Sequence, residues 1–323
     1  MNQIRLNSYI LLILVTISLL LSACTAAETP AANQPTKLRF AALRILDSLP
    51  LYVAESQGYF QEAGLAVEII PVGSAPERDQ LIAAGQADGM INELMSTLFA
   101  NRDTISTQIV RIARAANSQN PVFRILASQK SGINDLTGLQ EVEIGISEGT
   151  IIEYVTDRLL EAEGYATADF PKVNIPAIPD RLALINSGEL SAAVLPDPAA
   201  SLAMQGGAIV VIDDASHPEY GYSTIAFRKD YLDSQSQAVK SFLVALEKAV
   251  KDINQDPQKW SSILVDQQIV PAPLAGTYSI SSFPTASIPS EAQFNDAVEW
   301  AKSKGLLDSN PEYQNTVISG YLP

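Results

Sequence analysis

A single cysteine, a single histidine and two tryptophans stand in 323 residues. One cysteine permits no disulfide within the chain. With only Cys24 and His217, a histidine-rich metal site, a serine–histidine triad and a cysteine–histidine pair are all excluded or nearly so. Positive charge is also scarce: 21 Lys and Arg face 36 Asp and Glu, a formal net charge of −15. The basic residues are scattered, with no block to follow a phosphate backbone, and nucleic acid is excluded as a partner. Beyond the first two dozen residues no apolar run reaches the ~20 residues of a membrane-spanning helix.

What the chain does have starts at its N-terminus. Arg5 precedes a predominantly apolar stretch, Tyr9 to Leu21, followed by the small residues Ser22 and Ala23. This is the three-part pattern of a secretory signal peptide. The stretch LSAC, Leu21 to Cys24, resembles the bacterial lipobox. That resemblance implies cleavage before Cys24 and a lipid on its thiol, with residues 1–23 as signal peptide. TAAETPAANQPT then reads as a tether over 24–36, rich in Ala, Pro and Thr and too poor in large apolar residues to build a core.

The rest alternates strand and helix signals. LRFAAL (Leu38–Leu43), VEIIPV (Val67–Val72), ADGMIN, VEIGIS (Val142–Ser147), KVNIPAI and LSAAVL read as strands, and STIAFRKDYL as a strand running into a helix. Between them lie helices opened by Ser74 with Glu77 and by Thr150 with Glu153, at capping-box spacing. LIAAGQADGMI and LINSGELSAAVL repeat one helix–glycine–strand pattern about 104 residues apart, which indicates two α/β lobes on one plan. QAVKSFLVALEKAVKDIN is amphipathic, and Ser290 with Gln293 opens another helix that ends at Gly305. These late helices have too few strands for a sheet of their own. The expected division is lobe 1 from 37–120 plus 223–323 and lobe 2 from 121–222, with crossings near Asn117–Pro121 and Asp213–Tyr222.

LPLYVAESQGYFQEAGLAVEIIPV (Leu49–Val72), LIAAGQADGMIN and DLTGLQEVEIGISEGT (Asp135–Thr150), in that order, resemble solute-binding proteins of the nitrate/sulfonate/taurine and thiamine-pyrimidine-precursor type, which serve ABC importers. The resemblance runs from about Leu38 to Tyr231. It implies a two-lobed, type II periplasmic binding protein-like fold, each lobe a mixed sheet flanked by helices, joined by two hinge crossings. It also implies an extracytoplasmic monomer without cofactor or metal, held at the membrane through its lipid and partnered by an ABC permease. One branch of the resembled family makes the thiamine pyrimidine with a histidine and a cysteine-rich motif. This chain has only the loop histidine His217 and the lipobox cysteine Cys24, so catalytic residues are not expected. A receptor that senses its ligand without transport is the other alternative.

Ligands of open α/β sheets lie beyond the carboxyl ends of strands. That rule selects Arg44, Asp47, Asn92, Glu93, Ser147, Gly149 and Thr150, with the helix N-terminus after Thr150 offering free N–H groups. Asp197, held between two prolines, and Tyr222, beside the return crossing, complete the candidate set. Four carboxylates near the cleft (Asp47, Glu93, Glu148, Asp197) weigh against an anion-only site and towards an organic ligand with N–H donors, such as a pyrimidine or flavin-like ring, with alkylsulfonates as the competing class.

Overall fold

The computed structural model describes residues 34–271, 274 and 276–323. The signal peptide, Cys24 and nearly all of the expected tether lie outside the described residues.

Ten strands form two five-stranded sheets. β1 (Thr36–Leu43), β2 (Leu65–Val72), β3 (Gly89–Asn92), β4 (Thr107–Ala115) and β10 (Tyr222–Arg228) make the first, in the order β2-β1-β3-β10-β4. The second holds β5 (Phe123–Ala127), β6 (Ile144–Ile146), β7 (Lys172–Asn174), β8 (Ala192–Pro196) and β9 (Ile209–Asp213), in the order β7-β6-β8-β5-β9. In each sheet the first three strands are parallel, and the fourth runs antiparallel to both neighbours. That fourth strand is where each sheet receives the chain from the other lobe: β4 leads to β5, and β9 leads back to β10. The fold is thus the two-lobed α/β architecture the sequence implies.

The longer helices are α1 (Leu49–Ser56), α2 (Ala75–Ala83), α3 (Leu94–Ala100), α4 (Ile151–Ala162), α5 (Ile178–Ser187), α6 (Ala199–Gln205), α7 (Ser236–Gln255) and α8 (Glu291–Ser303). α7 presents Val239, Phe242, Leu243, Leu246, Val250 and Ile253 to the core, at helical spacing. Phe242 stacks on Phe40 of β1 and on Phe60, with ring centroids 5.0 and 5.2 Å apart. Each such side chain stabilises the fold by about 1.5–3 kcal/mol through burial. The opposite face of the first sheet is covered by Leu94, Met95 and Leu98 of α3. There its apolar core runs on without a break into that of the second sheet, under Ile144, Ile146 and α4.

α8 sits where those cores join. Its Ser290 and Gln293 form a complete capping box. The segment around it is tied to β4 on both sides: Ile112 N donates to Ser287 O (2.7 Å) and Ile318 N to Ile109 O (2.8 Å). Its middle grips α4 of the second lobe instead. Tyr154 Oη and Arg158 Nε donate to Asp296 (2.6 and 3.0 Å), Trp300 Nε1 donates to Asp157 (2.9 Å), and Lys304 reaches Glu153 and Asp157 (2.8 and 3.2 Å).

The structure adds three strands that composition did not reveal, β4, β5 and β9, and it shortens Val142–Ser147 to three residues. In β4, TQIVRIARA carries arginines that read as exposed but are buried. Arg111 is neutralised by Glu247 (2.8 Å) and donates to Ile112 O and Pro284 O.

A cavity between the lobes

The carboxyl ends of β1, β3, β6 and β8 face one another across a narrow cavity of about 60 Å³. Lobe 1 lines it with Leu43, Ile45, Asp47, Arg78, Asn92 and Glu93; lobe 2 supplies Ser147, Thr150, Ile152, Ile178, Arg181 and Pro196. Ile178 also packs against Leu43, Ile45 and Val72 of the other lobe, forming an apolar lip.

Five of the residues selected from sequence line this cavity: Asp47, Asn92, Glu93, Ser147 and Thr150. Most are already committed to partners. Asn92 donates to Thr97 Oγ1 (2.8 Å) and accepts from Thr224 Oγ1 (2.7 Å). Thr150 Oγ1 donates to Ser147 O (2.8 Å) and accepts from Ile152 N (3.2 Å), which caps α4. Glu153 returns to Gly149 N at 2.8 Å, so the cap closes one residue earlier than a standard capping box. Gly149 has φ of +67°, a left-handed turn that suits glycine, and it is not among the lining residues.

The other selected residues stand elsewhere. Arg44 is exposed and outside the cavity. Tyr222 is buried in the apolar core shared by the lobes, and burial first, then the charge of Asp296, pushes its phenol well above the usual range. Asp197 caps α6 by accepting from Ser201 N and Oγ (3.2 and 2.8 Å). It lines a neighbouring hollow beside the first crossing rather than the central cavity.

The carboxylates are also not free. Asp47 accepts from Ser223 Oγ and lies 3.5 Å from Arg114. Asp197 lies 2.7 Å from Arg124, close in distance though not aligned as a hydrogen bond. Glu93 is held by Arg78 at 3.1 and 3.2 Å. Glu148 points to solvent. Each buried acid near the cleft thus has its own cation, and the argument from unpaired carboxylates towards a ligand with N–H donors loses its basis.

One buried cation remains unmatched. Arg181 is 1% exposed. Its Nε donates to Val194 O (3.0 Å) and its Nη1 to Ile175 O (2.6 Å) and Pro176 O (3.0 Å). Among the described residues Nη2 has no acceptor and no carboxylate pairs with the guanidinium. A guanidinium carries five N–H donors, so two are left over. Burial alone lowers its affinity for its proton, to a pKa of about 10, which leaves it charged at neutral pH. On the same cavity Ser147 Oγ is buried and unpartnered. Both groups belong to lobe 2 and both suit a negatively charged oxygen.

Sequence reasoning missed both arginines of the cavity, although a signal was present. The repeat noticed at LIAAG and LINSG extends backwards to Ala-Pro-Glu-Arg before the first and Ile-Pro-Asp-Arg before the second. Arg78 and Arg181 therefore hold equivalent places in their lobes.

Comparison with known proteins agrees with this architecture. A Bacillus subtilis (strain 168) protein named for binding aliphatic sulfonates is 24% identical over 247 residues, 74% of this chain and 72% of that protein. The alkanesulfonate-binding protein SsuA of Xanthomonas axonopodis pv. citri, solved with MOPS, superposes with a TM-score of 0.74 at 18% identity, over 89% of this chain and 99% of that one. The desulfurization enzyme DSZB shares the fold as well (TM-score 0.66, 13% identity, 88% and 97% coverage), so the architecture by itself does not separate binding from catalysis. The NMT1/THI5-like family model matches residues 46–260, two-thirds of the chain, and the protein belongs to that family.

Proposed function

We propose that this protein is an extracytoplasmic solute-binding protein that captures a small organic monoanion, a sulfonate or similar oxoanion on an apolar body, between its two lobes. The observation that carries the reading is Arg181: a buried guanidinium with spare donors and no counter-charge, on a cavity whose other charged groups are paired among themselves and whose apolar wall includes Leu43, Ile45, Ile152 and Ile178. A solute oxoanion would supply the missing charge and satisfy Ser147 Oγ, while its apolar part fills the space between the lips. The name of the Bacillus subtilis relative supports the same class. Opening would bend the crossings at residues 116–122 and 214–221, part Ile178 from Leu43 and Ile45 and widen the cavity for the solute. The lipobox-like LSAC motif supports an anchor at Cys24, and the family supports delivery to an ABC permease by a monomer. No chemistry on the solute is proposed.

The test is isothermal titration of the soluble domain, from Gln34 onward, with short alkanesulfonates and the matching neutral alkyl methyl sulfones. Sulfonates should bind and sulfones should bind at least about a hundredfold more weakly, since the neutral analogue leaves the guanidinium buried and unmatched. Equal affinity for the two would sink the reading.

A further inference from the structure

The cavity contains the same arginine twice. Arg78 of α2 and Arg181 of α5 each follow a Pro-acid pair, and each reaches to a carbonyl on its lobe's third parallel strand. Arg78 Nη1 donates to Ile91 O (3.3 Å) of β3, and Arg181 Nε donates to Val194 O (3.0 Å) of β8. Two residues further along, the lobes part company. After Ile91 comes Glu93, whose carboxylate receives Arg78 Nη2; after Val194 comes Pro196, which receives nothing. Arg78 has a second acid, Asp79 at 2.8 Å, but that side chain is 39% exposed and screened by solvent, whereas Glu93 is 3% exposed and on the cavity wall. The charge capacity of the cavity thus turns on one side chain.

We infer that Glu93 is a specificity-determining residue: by occupying the cation of lobe 1 it leaves the cavity a single receiving guanidinium and restricts the solute to one negative charge. Without that carboxylate Arg78 would face the cavity as a second receptor. A solute with an oxoanion at each end could then be held by both lobes at once. In the unaltered protein the same dianion would set its second charge against Glu93, a like charge in a desolvated site. The inference rests on the reading of the cavity as a receptor for anions.

The experiment compares a series of alkanesulfonates with the matching α,ω-alkanedisulfonates by titration calorimetry. The unaltered domain should prefer the monoanion by about tenfold or more at every chain length. Glu93→Gln should reverse or abolish that preference for at least one length, Glu93→Asp should keep it, and Glu93→Gln combined with Arg78→Gln should lose the gain. A purely structural role for Glu93 would weaken both ligand types in parallel and leave their ratio alone, which overturns the inference. An unaltered domain that binds the disulfonates as tightly as the monosulfonates overturns it without any variant. Failure of every sulfonate to bind, or equal binding of the neutral sulfones, defeats the anion reading itself. Sulfonate-selective binding with an unchanged ratio in Glu93→Gln defeats only the role given to Glu93.

Discussion

The two lobes carry one strand order and one equivalent helix arginine on the cavity apiece, yet only lobe 1 gives that arginine a counter-charge. Lobe 1 is electrostatically closed on itself: Arg78 with Glu93, Arg114 with Asp47, Arg111 with Glu247. Lobe 2 completes Arg124 with Asp197 but leaves Arg181 open towards the cavity. A buried pair is costly to break because removing one partner strands the other. A buried cation without a partner is already strained by desolvation and gains most from an incoming anion. On the proposed reading, a duplicated plan yields one arginine that serves the fold and one that serves the ligand.

The sharpest way to break this comparison is to remove each arginine in turn. Arg78→Met should destabilise the domain by about 3–5 kcal/mol, because it leaves Glu93 buried and unpaired in a site where burial already raises its pKa. Chemical denaturation reads this directly. Arg181→Met should move unfolding far less while reducing sulfonate affinity about a hundredfold, or ~2.7 kcal/mol. If the two variants lose stability equally, the proposed division of labour fails.

Next in size is a pH effect seated between the lobes. Asp214, on the second crossing, is fully buried and accepts from Val122 N (2.8 Å) and Phe123 N on the first. Burial raises its pKa to about 7, against the opposing pull of those N–H groups. A carboxyl whose folded pKa is raised holds a proton that the unfolded chain has lost between pH ~4 and about 7. Its contribution therefore falls as pH rises through that window, by up to ~1.4 kcal/mol per unit, and is level above it. Asp214→Asn should flatten that slope in a series of melts from pH 4 to 8. A slope unchanged by the substitution would assign the pH dependence to other groups.

The smallest effect is expected at Ser147. Ser147→Ala removes a buried hydroxyl that has no partner, so the free protein should be unchanged or stabilised by up to ~1 kcal/mol while the complex is weakened severalfold. Loss of stability without loss of affinity would show that Ser147 serves the fold.

The parallel strands and their helices were legible because apolar spacing and capping residues are local. Ser74, Thr150 and Ser290 each accept a backbone N–H at the helix starts expected of them. β4 was hidden because Arg111 and Arg114 look like surface residues, and the acids that make their burial tolerable, Glu247 and Asp47, lie 136 and 67 positions away. The site was legible as a region rather than as a set of side chains. Loop positions after strands led to Asp47, Asn92, Glu93, Ser147 and Thr150, whereas Arg78 and Arg181 reach the cavity from within helices. Neither sequence position nor charge count reveals which acid is already spoken for.

The grip of α8 on α4 has a kinetic consequence. Any widening of the cavity must either separate Asp296, Trp300 and Lys304 from α4, or carry α8 along and pull Ser287 and Ile318 away from β4. The molecule therefore has a third tether beside its two crossings, in which hydrogen bonds and ion pairs surround the buried rings of Trp300 and Tyr154. In the proposed receptor, dwell time of a captured solute would then depend on a contact that never touches it. Because these pairs are largely buried, added salt should loosen that contact only slightly.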